Sequence, residues 1–235
     1  FRHLPSIKPF ALDRIDQFRP APPPNLDSAA YAGAVNETRA LGGSTSTVRS
    51  PEQLEVARFH TEPPTTFVTR NFGRLASSTA DAADAARLMA MVYVAFADTI
   101  AACFEAKYHY SFWRPVSAIH MADADGNDKT QPDVKWAPVL PTPNHPEYPA
   151  AHSCTSGSLG GALLGYYGTP NVTFAWDSKV TGTTRTFAGT DAFNDENRFA
   201  RIHGGMHFGF ATDAGAELGK QVAQWVTARH FGRQQ

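Results

Sequence analysis

The stretch from Ser78 to about His109 is rich in Ala, Leu and Met at helical spacing, and it constrains the fold more than any other part of this 235-residue chain. Ala and Leu lose little side-chain freedom in a helix, and Asp81 and Asp84 stand where acids favour the positive end of the helix dipole. One long core helix is expected there, carrying Lys107 near its C-terminal end. Its most apolar run, around Met89 to Cys103, is interrupted by Asp98 and falls short of the roughly 18–20 residues of a membrane span. A helix of this kind holds only when neighbours cover its apolar surface, so the expected fold is mainly α, a helical bundle.

Further elements follow from local signals. Ser50-Pro51-Glu52 reads as a helix start, with proline at the first position and an acid in the first turn. A second helix is expected from about Pro149 to Tyr167 and a last one from about Gly205 to Phe231. Residues 171–190 are rich in Thr and β-branched residues and suggest short extended pieces. Prolines concentrate in residues 1–30, including Pro20 and the Pro22-Pro23-Pro24 run, which predicts an extended arm on the surface. With the turn-rich residues 42–50, this divides the chain into a Pro/Gly-rich arm over residues 1–50 and a helical domain over residues 51–235. The polar tip DADGNDKTQPD resembles a calcium loop only loosely, since Gly126 is fourth rather than sixth and no acid is twelfth.

At 42% hydrophobic the chain can bury one sizeable core. A formal net charge of -1 without a basic tract argues against a nucleic-acid partner. Cys103 and Cys154 read as small buried residues rather than a disulfide, because two cysteines make no framework for a chain of this size. The chain opens at Phe1 with neither an initiator Met nor a signal peptide, which reads as a processed or trimmed product. The compartment stays open: soluble, secreted or vacuolar. So does assembly: a homo-oligomer, or pairing with an upstream part.

Three short blocks carry the chemistry: AKYHYSFWRP with Lys107 and Arg114, EYPAAHS with His152, and ARIHGGMH with Arg201 and His207. Three permanent cations and two imidazoles are costly to gather unless an anion lies between them. Lys107 and Arg114 are two helical turns apart, and Pro115 biases Arg114 toward the helix exit. Pro149 reads as a first-turn proline, leaving the amides of Ala150, Ala151 and His152 as donors for an anion. Gly204 and Gly205 supply a break that lets Arg201 and His207 converge. His203 and His207 have the spacing of a zinc pair, but no Glu follows His203 and no third ligand is apparent.

The pattern K-x6-R-P, P-x-x-H and R-x5-H resembles the three-part signature shared by vanadium-dependent haloperoxidases and type 2 phosphatidic acid phosphatases. The wording FWRPVSAI, LPTPNHPEYPAAHS and RIHGGMHFGF is similar to the soluble haloperoxidase branch. That resemblance implies a helical bundle whose pocket binds vanadate, with phosphate or sulfate able to take its place. Lys107, Arg114 and Arg201 would hold the equatorial oxygens, aided by the amides of Ala150 and Ala151. His207 would be the axial ligand to vanadium, and His152 the acid–base group. The implied reaction is oxidation of halide by hydrogen peroxide. The alternatives are an acid phosphatase acting on a small phosphate ester with His207 as nucleophile, or a catalytically weak phosphate-binding or storage relative. Relatives most often have Ser and Gly where this chain has Ala150 and Ala151. In many, an Asp stands where this chain has Ala211, leaving Asp213 or a backbone carbonyl to orient His207.

Overall fold

The computed structural model describes residues 1–79 and 81–232. In chain order its elements are α1 (Ala29–Gly42), α2 (Pro51–Phe59), α3 (Pro64–Ala76), α4 (Ala82–Tyr110), α5 (Pro115–His120), α6 (Ala151–Tyr167), β1 (Phe174–Asp177), β2 (Thr184–Phe187), α7 (Thr190–His203) and α8 (Gly209–His230). The fold is a helical bundle with α4, α6 and α8 at its centre and α7 packed between α6 and α2. The two strands form one antiparallel hairpin, Phe174 opposite Phe187 and Asp177 opposite Thr184.

Each core element has a local cause. The Asp81 side chain caps α4 by accepting the Ala83 N–H. Helix α2 begins with a capping box between Ser50 and Gln53. Small residues let α6 and α8 approach closely: a Cβ added at Gly157 would collide with the Ala216 carbonyl, and one at Gly219 with that of Cys154. The last turn of α4 closes with Ser111 in the left-handed region, φ 46°, donating its N–H to Lys107 O. Arg114 then follows in extended backbone, as Pro115 requires.

Several expectations need correction. Residues 29–42, inside the stretch expected to be an extended arm, form α1; Ser28 caps it, and Tyr31, Val35 and Thr38 bury one helical face. Pro149 lies outside α6 rather than in its first turn, because Ala150 takes the N-cap place. Cys103 and Cys154 form a disulfide, not a pair of free thiols. They are 51 residues apart, but α4 packs on α6 and brings their Cα atoms within 6.5 Å. The stretch Ala82–His120 also has the length and apolarity of a membrane span, with mean hydropathy 1.6 in its best window, despite Asp98; 56% of that window is buried inside the protein.

Asp98 explains how the N-terminal residues are held. Buried on α4, its carboxylate accepts the N–H groups of Phe10 at 2.7 Å, Ala11 at 2.8 Å and Leu12 at 2.9 Å. Further along, Tyr110 and Tyr148 donate their hydroxyls to the carbonyls of Pro20 and Ala21, and Arg19 pairs with Glu105.

Candidate functional site

Three cations meet where the end of α4, the loop before α6 and the α7–α8 turn come together. Lys107 is fully buried and donates to the carbonyls of Pro146, 2.7 Å, and Glu147, 3.0 Å. Arg114 reaches across from the other side of the α4 exit. Its Nε donates to His145 O at 2.9 Å and its Nη1 to Met206 O at 2.8 Å and His207 Nε2 at 2.9 Å. Its Nη2 meets His145 Nδ1 at 3.1 Å. Arg201, at the end of α7, donates from Nη1 to His60 O at 3.1 Å and contacts Met206 Sδ at 3.0 Å through Nη2. Its Nε is buried without a partner. Gly205, with φ 75°, makes the turn that folds His207 back beneath Arg114, as the Gly204-Gly205 pair predicts.

Burial and mutual repulsion dominate the electrostatics. Desolvation drives the Lys107 amine well below its usual pKa, Arg114 lowers it further, and Glu147 opposes both. Burial brings Arg114 down to about 10. Burial and then the Arg114 charge bring Arg201 to about 9. His207 is pushed well below the ordinary imidazole value by burial, then by Arg114, Lys107 and Arg201, so it is neutral near pH 7. Its contact with Glu147 Oε1, 3.0 Å from Nδ1, is therefore a hydrogen bond rather than an ion pair. Among the described residues Glu147 is the carboxylate that contacts this group, and burial raises it to about 7 against the pull of the Phe208 N–H, Arg114 and Lys107.

His152 opens α6 beside Arg201. Burial lowers its pKa first and the Arg201 charge second, while its Nε2 is buried with no hydrogen-bond partner. Ala151, His152 and Ser153 occupy the first turn of α6, and their N–H groups take no backbone partner. Ala150 departs from expectation: its N–H is committed to the Ala211 carbonyl at 2.9 Å. Arg114 and His145 also line an open cavity of about 870 Å³, with Tyr108, Ser111, Thr142 and Asn144 around it.

The structure thus brings Lys107, Arg114, Arg201 and His207 together, with His152 next to Arg201. It adds His60, His145, Glu147 and Met206, which the sequence reading did not single out. Glu147 lies within the quoted EYPAAHS block, but nothing local ties it to a histidine 60 residues away. Asp213 does not orient His207; it pairs with Arg198 on an exposed face. Of the nearby aromatics, Phe112 and Trp113 pack against Tyr31 of α1 rather than facing the cluster.

Residues 87–233 match the VCPO second helical-bundle domain family. The chain belongs to this family of the vanadium haloperoxidases. Vanadium chloroperoxidase from Curvularia inaequalis is 29% identical over a 182-residue alignment that spans 63% of this chain and 29% of that protein. Among solved structures, a bacterial vanadium-dependent iodoperoxidase superposes with a TM-score of 0.81 at 28% identity, covering 96% of this chain and 56% of that one. A holo-type bacterial vanadium-dependent chloroperoxidase shares the fold, with a TM-score of 0.74 at 18% identity over 97% of this chain and 54% of its own. This haloperoxidase-type bundle therefore spans about half the length of the solved chains it matches, and less of the curated relative.

Proposed function

We propose that this bundle forms the vanadate site of a haloperoxidase, in which hydrogen peroxide oxidises a halide. The observation that carries the reading is a charge imbalance: among the described residues, the buried Lys107, Arg114 and Arg201 face the single buried carboxylate of Glu147. A buried excess of positive charge is expensive unless an anion neutralises it. The donor set suits a tetrahedral or trigonal-bipyramidal oxyanion, with guanidinium forks, an ammonium and the free amides of Ala151 and His152. The unpartnered Arg201 Nε and His152 Nε2 are further groups that such an anion would satisfy.

In this reading Lys107, Arg114 and Arg201 would hold the oxygens of bound vanadate and His207 Nε2 would ligate it. Bound vanadate supplies a Lewis acid that activates hydrogen peroxide without changing its own oxidation state. His152, neutral through burial, takes up or returns a proton at its unpartnered Nε2. The cavity beside Arg114 and His145 is the path for peroxide and halide. The free amides of Ala151 and His152 and the cations persist despite alanine at 150 and 151.

The test is to load the purified protein with orthovanadate and supply hydrogen peroxide and bromide with a phenol indicator. Vanadate-dependent halogenation that added phosphate suppresses is the expected result. Hydrolysis of phenyl phosphate, inhibited by vanadate and without halogenation, would replace this reading with a phosphatase using His207 as nucleophile. Vanadate bound with neither activity would leave an oxyanion-binding protein.

A further inference from the structure

We propose that Glu147 is the positioning residue that accepts the His207 Nδ1 proton, opposite Arg114 on Nε2, and sets where the ring points. Two contacts assign the tautomer. Arg114 Nη1 lies 2.9 Å from His207 Nε2 and has only an N–H to offer, so Nε2 presents its lone pair. The proton of the neutral ring then sits on Nδ1 and is donated to Glu147 Oε1 at 3.0 Å. The next residue reinforces the hold, because the Phe208 N–H donates to the same Oε1 at 2.9 Å.

The carboxylate is itself carried on pinned backbone. Glu147 donates its N–H to Phe112 O at 3.0 Å and accepts Lys107 Nζ at its carbonyl. One residue thereby ties the exit of α4, the loop before α6 and the start of α8 to the His207 ring. Both side chains are at most 1% exposed, so water does not compete for the contact. Asp213, on α8, is taken by Arg198 and does not serve. This arrangement keeps Nε2 unprotonated, its lone pair available to an electron-poor centre once Arg114 turns to the anion, a use that rests on the oxyanion reading above.

Long-range ¹H–¹⁵N NMR of the His207 imidazole reads the tautomer directly in the vanadate-free protein, and equilibrium dialysis reads the orthovanadate dissociation constant. Wild type should show a neutral ring protonated at Nδ1. Glu147→Gln keeps an oxygen acceptor and should keep that tautomer, with affinity between wild type and the apolar variant. Glu147→Leu removes the acceptor; with only Arg114 left on the ring, the Nδ1–H resonance should lose its hydrogen-bonded downfield shift and exchange faster, and vanadate affinity should fall about 10- to 100-fold, the usual effect of losing the group behind a ligating histidine. A wild-type ring protonated at Nε2, or an unchanged Nδ1–H resonance in Glu147→Leu, overturns the inference. Wild type that binds no vanadate would overturn the proposed function instead, while the Nδ1–H resonance still decides whether Glu147 holds the ring.

Discussion

Replacing Lys107 with methionine should separate anion binding from stability. The side chain is fully buried on α4, with its ammonium between two carbonyls and repelled by Arg114 and Arg201. A hydrogen bond to a charged group contributes about 1.5–3 kcal/mol, and two unit charges 4 Å apart interact by about 4 kcal/mol at an effective dielectric of 20. The Lys107→Met dissociation constant for orthovanadate or phosphate should therefore rise roughly 10- to 10³-fold. Stability of the anion-free protein should move little, within about 2 kcal/mol, because the unpaired carbonyls of Pro146 and Glu147 are offset by relief of repulsion and desolvation. The pH dependence has a definite sign. With its pKa lowered in the folded state, Lys107 binds a proton more readily when unfolded, so its contribution to stability is full above the ordinary lysine value and is lost as pH falls toward the folded one. Lys107→Met should flatten that slope. Isothermal titration with orthovanadate and urea unfolding across pH measure both quantities. Wild-type affinity in the variant, or a loss of several kcal/mol in stability, would show that Lys107 is a strut for the Pro146–Glu147 loop rather than an anion ligand.

Four further outcomes follow from named contacts. His152→Ala should leave vanadate binding nearly intact while slowing turnover by roughly 10²–10⁴, measured by titration beside steady-state kinetics. Gly219→Ala should cost about 1–3 kcal/mol or more in urea unfolding, because its Cβ meets the Cys154 carbonyl and must push α8 off α6. Asp98→Asn sets an amide group against the N–H donors of Ala11 and Leu12; about 3 kcal/mol of stability should be lost, and limited proteolysis should cut the first dozen residues sooner. Replacing Cys103 and Cys154 by serine opens a covalent loop of 51 residues and should lower unfolding stability by about 2–4 kcal/mol, while native wild type should show no titratable thiol.

Local chemistry along the chain was enough to reveal the core helix with acids at its start, the Ser50-Pro51 start, the short extended pieces after residue 171 and the break at Gly204-Gly205. Each of these signals is spelled by residues within one or two turns of one another. The cation blocks were legible for the same reason: Lys107 with Arg114 and Arg201 with His207 are close in sequence. Helix α1 was obscured because the proline content of residues 1–30 outweighed the weaker 3–4 spacing of Tyr31, Val35 and Thr38. Helix α7 was missed because its charged residues hide the buried stripe from Phe193 to Ile202.

What tertiary structure alone decided are the partnerships between distant segments. Asp98 reads as an interruption of an apolar helix until the arm is seen delivering three N–H groups to it. Cys103 and Cys154 pair because α4 and α6 pack together, and Glu147 rather than Asp213 meets His207 because the loop before α6 crosses beneath the α7–α8 turn. A buried polar group must find a partner, but its identity depends on which backbone arrives beside it, and that is a property of the packed bundle rather than of spacing along the chain.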